Sequence, residues 1–233
     1  MMTRKLRLSV AMLALTWLGL GSARADCRDY PGPGVDWSSC SKARRLMAEY
    51  DFHGANLQSA DLSDSDLRGA NLSKANLSGA TMLRTRLAGA NLREANLTKA
   101  VLDRADLTGI DLRGADASKA ELHRTTISDA TLVGAKLEKA EFGRATLKGS
   151  NLSNAILVQA YLVRADLRNV QLAGANLTEA ELDLADLRGA DLSSSIGLLQ
   201  EQLVGSCGDS TTKLPSGLVP PPNWPCARTE DSE

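Results

Sequence analysis

The sequence predicts an all-β solenoid built from four-sided coils. Three observations carry that prediction. A central apolar residue recurs every five positions from Leu57 to Leu192 without a register slip, and all 28 centres are Leu except Met82, Ala117, Ile127 and Phe142. Two residues before each centre stands Ala, except at Ser65, Thr85, Ile110, Thr125, Ser150 and Val170. Residues 20 apart then form ladders: Gly69, Gly89, Gly109, Asp129, Gly149, Asn169 and Gly189 at one corner, Arg84, Arg104, Arg124, Arg144 and Arg164 at another, and Lys99, Lys119 and Lys139 at a third. Self-similarity on this scale decides architecture before any other argument.

A period of five excludes the two regular structures. On an α-helix, successive Leu would step about 140° and scatter round the cylinder. On a flat strand, odd spacing would alternate them between faces. The chain must therefore bend once per pentapeptide, so that each centre and the small residue two positions earlier point inward together. Four such sides close a coil, and the 28 centres make about seven coils, a stack on the order of 34 Å long. The Gly, Asn and Asp of the first ladder are the residues that visit positive φ most easily, and they predict one repeated turn that requires it.

Repeats such as Ala70-Asn71-Leu72-Ser73-Lys74 and Ala165-Asp166-Leu167-Arg168-Asn169 resemble the pentapeptide repeat family. The resemblance covers about 140 of the 233 residues and implies a right-handed quadrilateral β-helix. The expected domain organisation is a leader at 1–25, an N-terminal cap at 26–51, the β-helix at 52–194, and a C-terminal cap and tail at 195–233.

Only 3 % of the chain is aromatic, too little for an ordinary globular core, but a narrow stack of Leu and Ala needs no more. The first 25 residues read as a secretory signal peptide: basic Arg4, Lys5 and Arg7, an apolar run from Leu8 to Leu20, and a small-x-small site at Ala23-Arg24-Ala25. That run is shorter than the roughly 20 residues needed to span a bilayer. Cleavage after Ala25 would give a periplasmic or secreted chain without a transmembrane segment. Loss of four basic residues with the leader leaves 23 basic against 28 acidic, a net charge of about −5. No polybasic region points to nucleic acid.

Four cysteines lie outside the repeats, two at each end. In an exported chain an even count reads as disulfides. A disulfide needs Cα atoms within about 7 Å, and the length of the stack separates the two pairs, so Cys27–Cys40 and Cys207–Cys226 are expected. There is no Cys-x-x-Cys, and His53 and His123 stand alone at repeat positions, so no metal is expected. The caps should shield the end coils, whose unpaired backbone would otherwise template aggregation. At the first end, Trp37, Met47 and Phe52 keep the phase of the Leu series while Lys42 and Tyr50 break it. A short helix over Ser41–Tyr50 is favoured there over a degenerate coil. At the other end, Leu198 to Val204 should form a helix across the open coil with Leu199 and Leu203 on one face. The segment from Cys207 to Cys226 resembles the tails of exported members of the family, and the acidic terminus (Glu230, Asp231, Glu233) has the composition of a disordered end.

No nucleophile elbow, phosphate loop, zinc-protease helix or dinucleotide fingerprint is present. The abundant Asp and Asn are placed by the repeat itself, where they should bond backbone at the bends. The chain is expected to be non-enzymatic and without cofactor. One feature exceeds what the repeat needs, the column Arg84, Arg104, Arg124, Arg144 and Arg164. Like charges at strand spacing repel, so something must offset them. The first expectation is a solvated ladder interleaved with Asp103, Glu121, Glu141 and Asp183. The second is an anion or partner-binding face, because outward Leu83, Val101, Tyr161, Val163 and Leu184 lie there too. An exported scaffold or binding protein of the cell envelope follows, its partner an envelope protein or an anionic glycan. The resemblance also brings an alternative, since some cytosolic members mimic DNA and bind type II topoisomerases. That role asks for a cytosolic address and a strongly acidic face, which the leader and the arginines oppose.

Overall fold

The computed structural model describes residues 26–226. The expected leader and the acidic terminus lie outside them.

One repeat explains the whole stack, because all five of its backbone N–H groups find acceptors. In Ala95-Asn96-Leu97-Thr98-Lys99, Asn96 donates to Ala75 O on one neighbouring coil at 2.9 Å, and Leu97 donates to Asp116 O on the other at 2.6 Å. Lys99 donates to Ser118 O at 3.1 Å, and Ala95 closes the preceding turn onto Leu92 O at 3.1 Å. The fifth donor, Thr98 N–H, faces outward and is taken by Asn96 Oδ1 at 3.0 Å. Where Asn or Asp precedes the centre, its oxygen caps the bend that follows, and no donor of that repeat is left orphaned.

Parallel bridges pair residues 20 apart without interruption from Asp36↔Asn56 to Asn176↔Ile196. The coils are four-sided, as the ladders predict, and the bridged stack is roughly 38 Å long at strand spacing. Its interior is a column of Leu and Ala, nearly all 0–2 % exposed. The polar residues among the small inward positions are satisfied: Ser65 Oγ donates to Lys42 O at 3.0 Å, and Thr85 Oγ1 donates to Leu62 O at 3.0 Å.

The glycine-rich corner adopts positive φ as expected, Gly69 at 64° and Asp129 at 55°. Every corner uses the same conformation, and 21 non-glycine residues among the described ones adopt it, including Lys74, Lys99, Arg124 and Glu179. The turn between coil faces imposes the conformation wherever it falls, and the coil-to-coil hydrogen bond of the same residue holds it there. The helix favoured for Ser41–Tyr50 needs correction. Ser41 bridges Asp61 and Leu46 bridges Asp66, so the segment is a further coil side by side. Met47 and Trp37 fill central positions at 4 % and 2 % exposure. Lys42 occupies a third, and its ammonium leaves the core to donate to Cys27 O at 2.7 Å while lying 3.6 Å from the Trp37 ring centroid. Burial pushes the pKa of this ammonium down.

Lys42 is thereby one anchor of the N-terminal cap. Trp37 Nε1 donates to Asp29 O at 3.2 Å, and Cys27 and Cys40 stand at disulfide distance, 5.5 Å between Cα atoms. At the opposite end the expected helix is one short 3-10 turn, Gln200–Leu203. Leu198 and Leu203 are buried there, whereas Leu199 is exposed, because a 3-10 turn of three residues does not place positions four apart together. Gln202 Nε2 donates to two carbonyls of the last coil, Leu177 O at 2.9 Å, which also accepts the Ala180 N–H, and Ala180 O at 2.7 Å. The chain then rejoins the stack through Cys207 and Lys213. Cys207 and Cys226 are 5.6 Å apart at Cα.

Candidate functional site

Each coil face presents three outward columns: the residue before the centre, the residue after it, and the positive-φ corner. On the arginine face these read Val101, Glu121, Glu141, Tyr161, Glu181; Asp103, His123, Gly143, Val163, Asp183; and Arg104, Arg124, Arg144, Arg164, Leu184. The parallel register brings all five predicted arginines and Tyr161 onto this one face.

At its lower end the arginine column is paired. Arg84 donates to both carboxylate oxygens of Asp64, at 2.7 and 3.0 Å. These hydrogen bonds draw the Asp64 carboxyl below its ordinary pKa and raise that of Arg84. Above Arg84 the pairing stops. The guanidinium groups of Arg104, Arg124, Arg144 and Arg164 have no ion-pair or hydrogen-bond partner among the described residues. The interleaved ladder expected from sequence does not form. Asp103 instead accepts the His123 N–H at 3.1 Å, and Glu141 Oε2 meets His123 Nε2 at 2.8 Å. Elsewhere on the stack the contrast is plain, since Arg68, Arg86, Arg93, Arg113, Arg168 and Arg188 all lie within ion-pair distance of an Asp.

The same face abandons the repeat's capping rule. From Thr81 through Val101, Glu121, Glu141 and Tyr161 to Glu181 no Asn or Asp precedes the centre. The outward N–H groups of Gly143 and Val163 have no partner among the described residues, as at bends elsewhere that lack an Asx cap. Gly143 also leaves a notch in the middle column. A Cβ there would lie 2.7 Å from His123 Nδ1 and 2.9 Å from Tyr161 Cε1. The Tyr161 ring meets His123 edge-on, centroids 6.2 Å apart. The result is a shallow recess of about 680 Å³ with Arg104, Arg124, Arg144 and Arg164 along one wall. Tyr161 is 37 % exposed and Leu184 57 %.

Sequence reasoning placed the arginines, Tyr161 and Glu141 on this face, but assigned Glu141 to the arginines, left His123 standing alone and missed the part played by Gly143. The legible signal was the run of six coils without Asn or Asp before the centre, confined to one face. The cysteines lie apart from this recess, in the caps. Among the described residues no three His, Cys, Asp or Glu side chains converge as a metal site. No helix of the described residues is long and apolar enough to cross a membrane.

A four-sided solenoid of Leu-centred five-residue sides, with a basic recess on its flank, defines a β-helical repeat protein. The model described as pentapeptide repeats matches eight copies, over residues 51–87, 82–116, 105–143, 127–162 and 155–194. The chain belongs to the pentapeptide repeat family, whose solved structures imply the right-handed quadrilateral β-helix. One of these is HetL, a pentapeptide repeat protein involved in heterocyst differentiation regulation in Nostoc sp. strain PCC 7120. It is 26 % identical, with a TM-score of 0.51 over 80 % of this chain and 92 % of HetL. A pentapeptide repeat protein of the Arabidopsis thaliana thylakoid lumen is 29 % identical over 49 % of this chain and 70 % of its own, with a TM-score of 0.29. QnrB1, a plasmid-mediated fluoroquinolone resistance protein, is 18 % identical over 81 % of this chain and 88 % of its own, with a TM-score of 0.33. A comparison with curated proteins gave no match.

Proposed function

We propose that this chain is an exported, non-enzymatic binding protein of the cell envelope, and that the arginine face is its recognition surface. The observation that carries the reading is the set of four stacked guanidinium groups with no internal carboxylate. Stacked like charges destabilise a sheet, and a repeat that pairs six arginines on its other faces had the means to pair these. An anionic partner offsets the repulsion and desolvates the recess. Export is supported by the leader-like first 25 residues and by two cysteine pairs at disulfide distance, which an oxidising compartment permits.

Two measurements test this. Intact mass of the protein from its own cells, fraction by fraction, should fit Asp26–Glu233 outside the cytosol and rise by about four hydrogens on reduction. A full-length, reduced cytosolic species would overturn export and make the topoisomerase-binding alternative the leading reading. For the face, Arg124 and Arg144 are reversed to Glu and the capture of envelope proteins and glycans is compared with wild type. A variant reversed on another face, Arg93 and Arg113 to Glu, is the control. The reading predicts loss of capture in the first variant alone. Unchanged capture with an intact fold removes this surface as the site.

A further inference from the structure

Resting on that reading, we infer that the arginine face binds an acidic polysaccharide, extended along the stack axis with one acid group per sugar ring. The pitch of the column is the first argument. Arg104, Arg124, Arg144 and Arg164 occupy the same corner of four successive coils, a straight row about 14 Å long with a step of about 4.8 Å. A single small anion engages one or two members of such a row. A 1,4-linked chain of uronic acids carries a carboxylate on every ring, so it engages several members of the row at once, the long arginine stems reaching carboxylates that turn to either side of the chain.

The flanking column is the second argument. Glu121, Glu141 and Glu181 run parallel to the arginines, three residues away across the same face. Carboxylates accept hydrogen bonds from sugar hydroxyls, whereas they repel a surface of uniform negative charge. An anionic membrane or a nucleic acid, with phosphate at every repeat, would meet that repulsion along the whole row. A glycan whose carboxylates are interspersed with hydroxyls on every ring offers partners to both columns.

The notch is the third. Gly143 opens space beside the Tyr161 ring, and an aromatic face next to a cleft accepts the apolar face of a sugar ring. The outward N–H of Gly143 is free to donate there. Single-stranded nucleic acid is held on successive aromatic platforms, and this face offers one aromatic residue, Tyr161.

The probe is a hexamer of 1,4-linked galacturonic acid, titrated calorimetrically into the mature chain. The comparisons are the monomer, the neutral hexamer of 1,4-linked glucose, inorganic phosphate, and vesicles containing phosphatidylserine. The inference predicts that the acidic hexamer binds at least about tenfold more tightly than its monomer, and more tightly than every other probe. Arg124→Glu with Arg144→Glu should weaken it by a further factor of about ten or more. Gly143→Val fills the notch and Tyr161→Ala removes its wall, so both should weaken the hexamer while leaving phosphate unchanged. Equal binding of the neutral hexamer, or preference for vesicles or phosphate, would overturn the inference. If the hexamer fails to bind while the double reversal still abolishes envelope capture, the polysaccharide assignment falls and the binding face stands. If capture is also unaffected, both fall.

Discussion

Arg84 reaches one coil down the stack and closes a two-pronged pair with Asp64, at 2.7 and 3.0 Å. Asp64 also has Arg44 3.9 Å away on its other side, so one carboxylate offsets two arginines. No carboxylate takes this role above Arg84. Asp64→Asn should therefore extend the unpaired column downward by two residues and lower the melting temperature slightly, since exposed pairs contribute little. It should also make the loss smaller at high salt, where the exposed arginine repulsion is screened. Thermal unfolding at low and high ionic strength checks both.

Acid should weaken the stack through Asp66. Hydrogen bonds from Arg68, aided by the nearby Arg86 charge, hold its carboxyl at about 2 against an ordinary value of 3.8. A carboxyl depressed in the folded state stabilises fully above the unfolded value and loses that contribution as pH falls through the folded one. The window is therefore pH 3.8 down to about 2. Asp66→Asn should flatten the acid limb of the stability curve in that window, measured by urea midpoint against pH. An unchanged slope would assign acid sensitivity elsewhere, Asp191 being the other carboxyl held at about 2.

Corner residues with positive φ give a paired prediction. Lys99 adopts φ 58°, a region that disfavours a side chain by roughly 1–2 kcal/mol, part of which glycine returns through its greater unfolded freedom. Lys99→Gly should stabilise by up to about 1 kcal/mol. Gly197, at φ 73°, is the opposite case, because a Cβ there would collide with the Thr178 side chain and come within 3.0 Å of its Cα. Gly197→Ala should cost about 2 kcal/mol or more. Denaturant midpoints of the two variants should move in opposite directions.

The N-terminal cap should loosen when Lys42 loses its ammonium. In Lys42→Leu the bond to Cys27 O disappears while the coil register, fixed by backbone bridges, stays. Under reducing conditions trypsin should then cleave after Arg28 faster than in wild type, with the coil circular dichroism unchanged. Equal cleavage rates would mean that Trp37 and its bond to Asp29 O suffice to hold the cap.

What was legible in the sequence follows from how the repeat encodes structure. Inward Leu and Ala announce themselves by burial, so the coil and its four sides could be read directly. Lys42 hid the earlier coil because a charge at a central position looks like a break, whereas its stem fills the position and only the ammonium leaves. The glycine ladder suggested a special corner, because glycine marks positive φ where other residues merely tolerate it. His123 and Glu141 are 18 residues apart, a separation that becomes contact only when coils stack. The recess was half legible, as unpaired charge in the arginines and as missing Asn and Asp on one face, but its notch depends on the contacts of Gly143.

On the proposed function, the upper arginine column serves recognition and adds nothing to the fold. Thermal unfolding of Arg124→Gln with Arg144→Gln, compared with wild type, tests it most directly. Removing two of four stacked, unpartnered charges should leave the melting temperature unchanged or raise it. A fall of more than about 3 °C, the size of roughly 1 kcal/mol in a domain of this length, would mean that the column is part of the scaffold and contradict the claim.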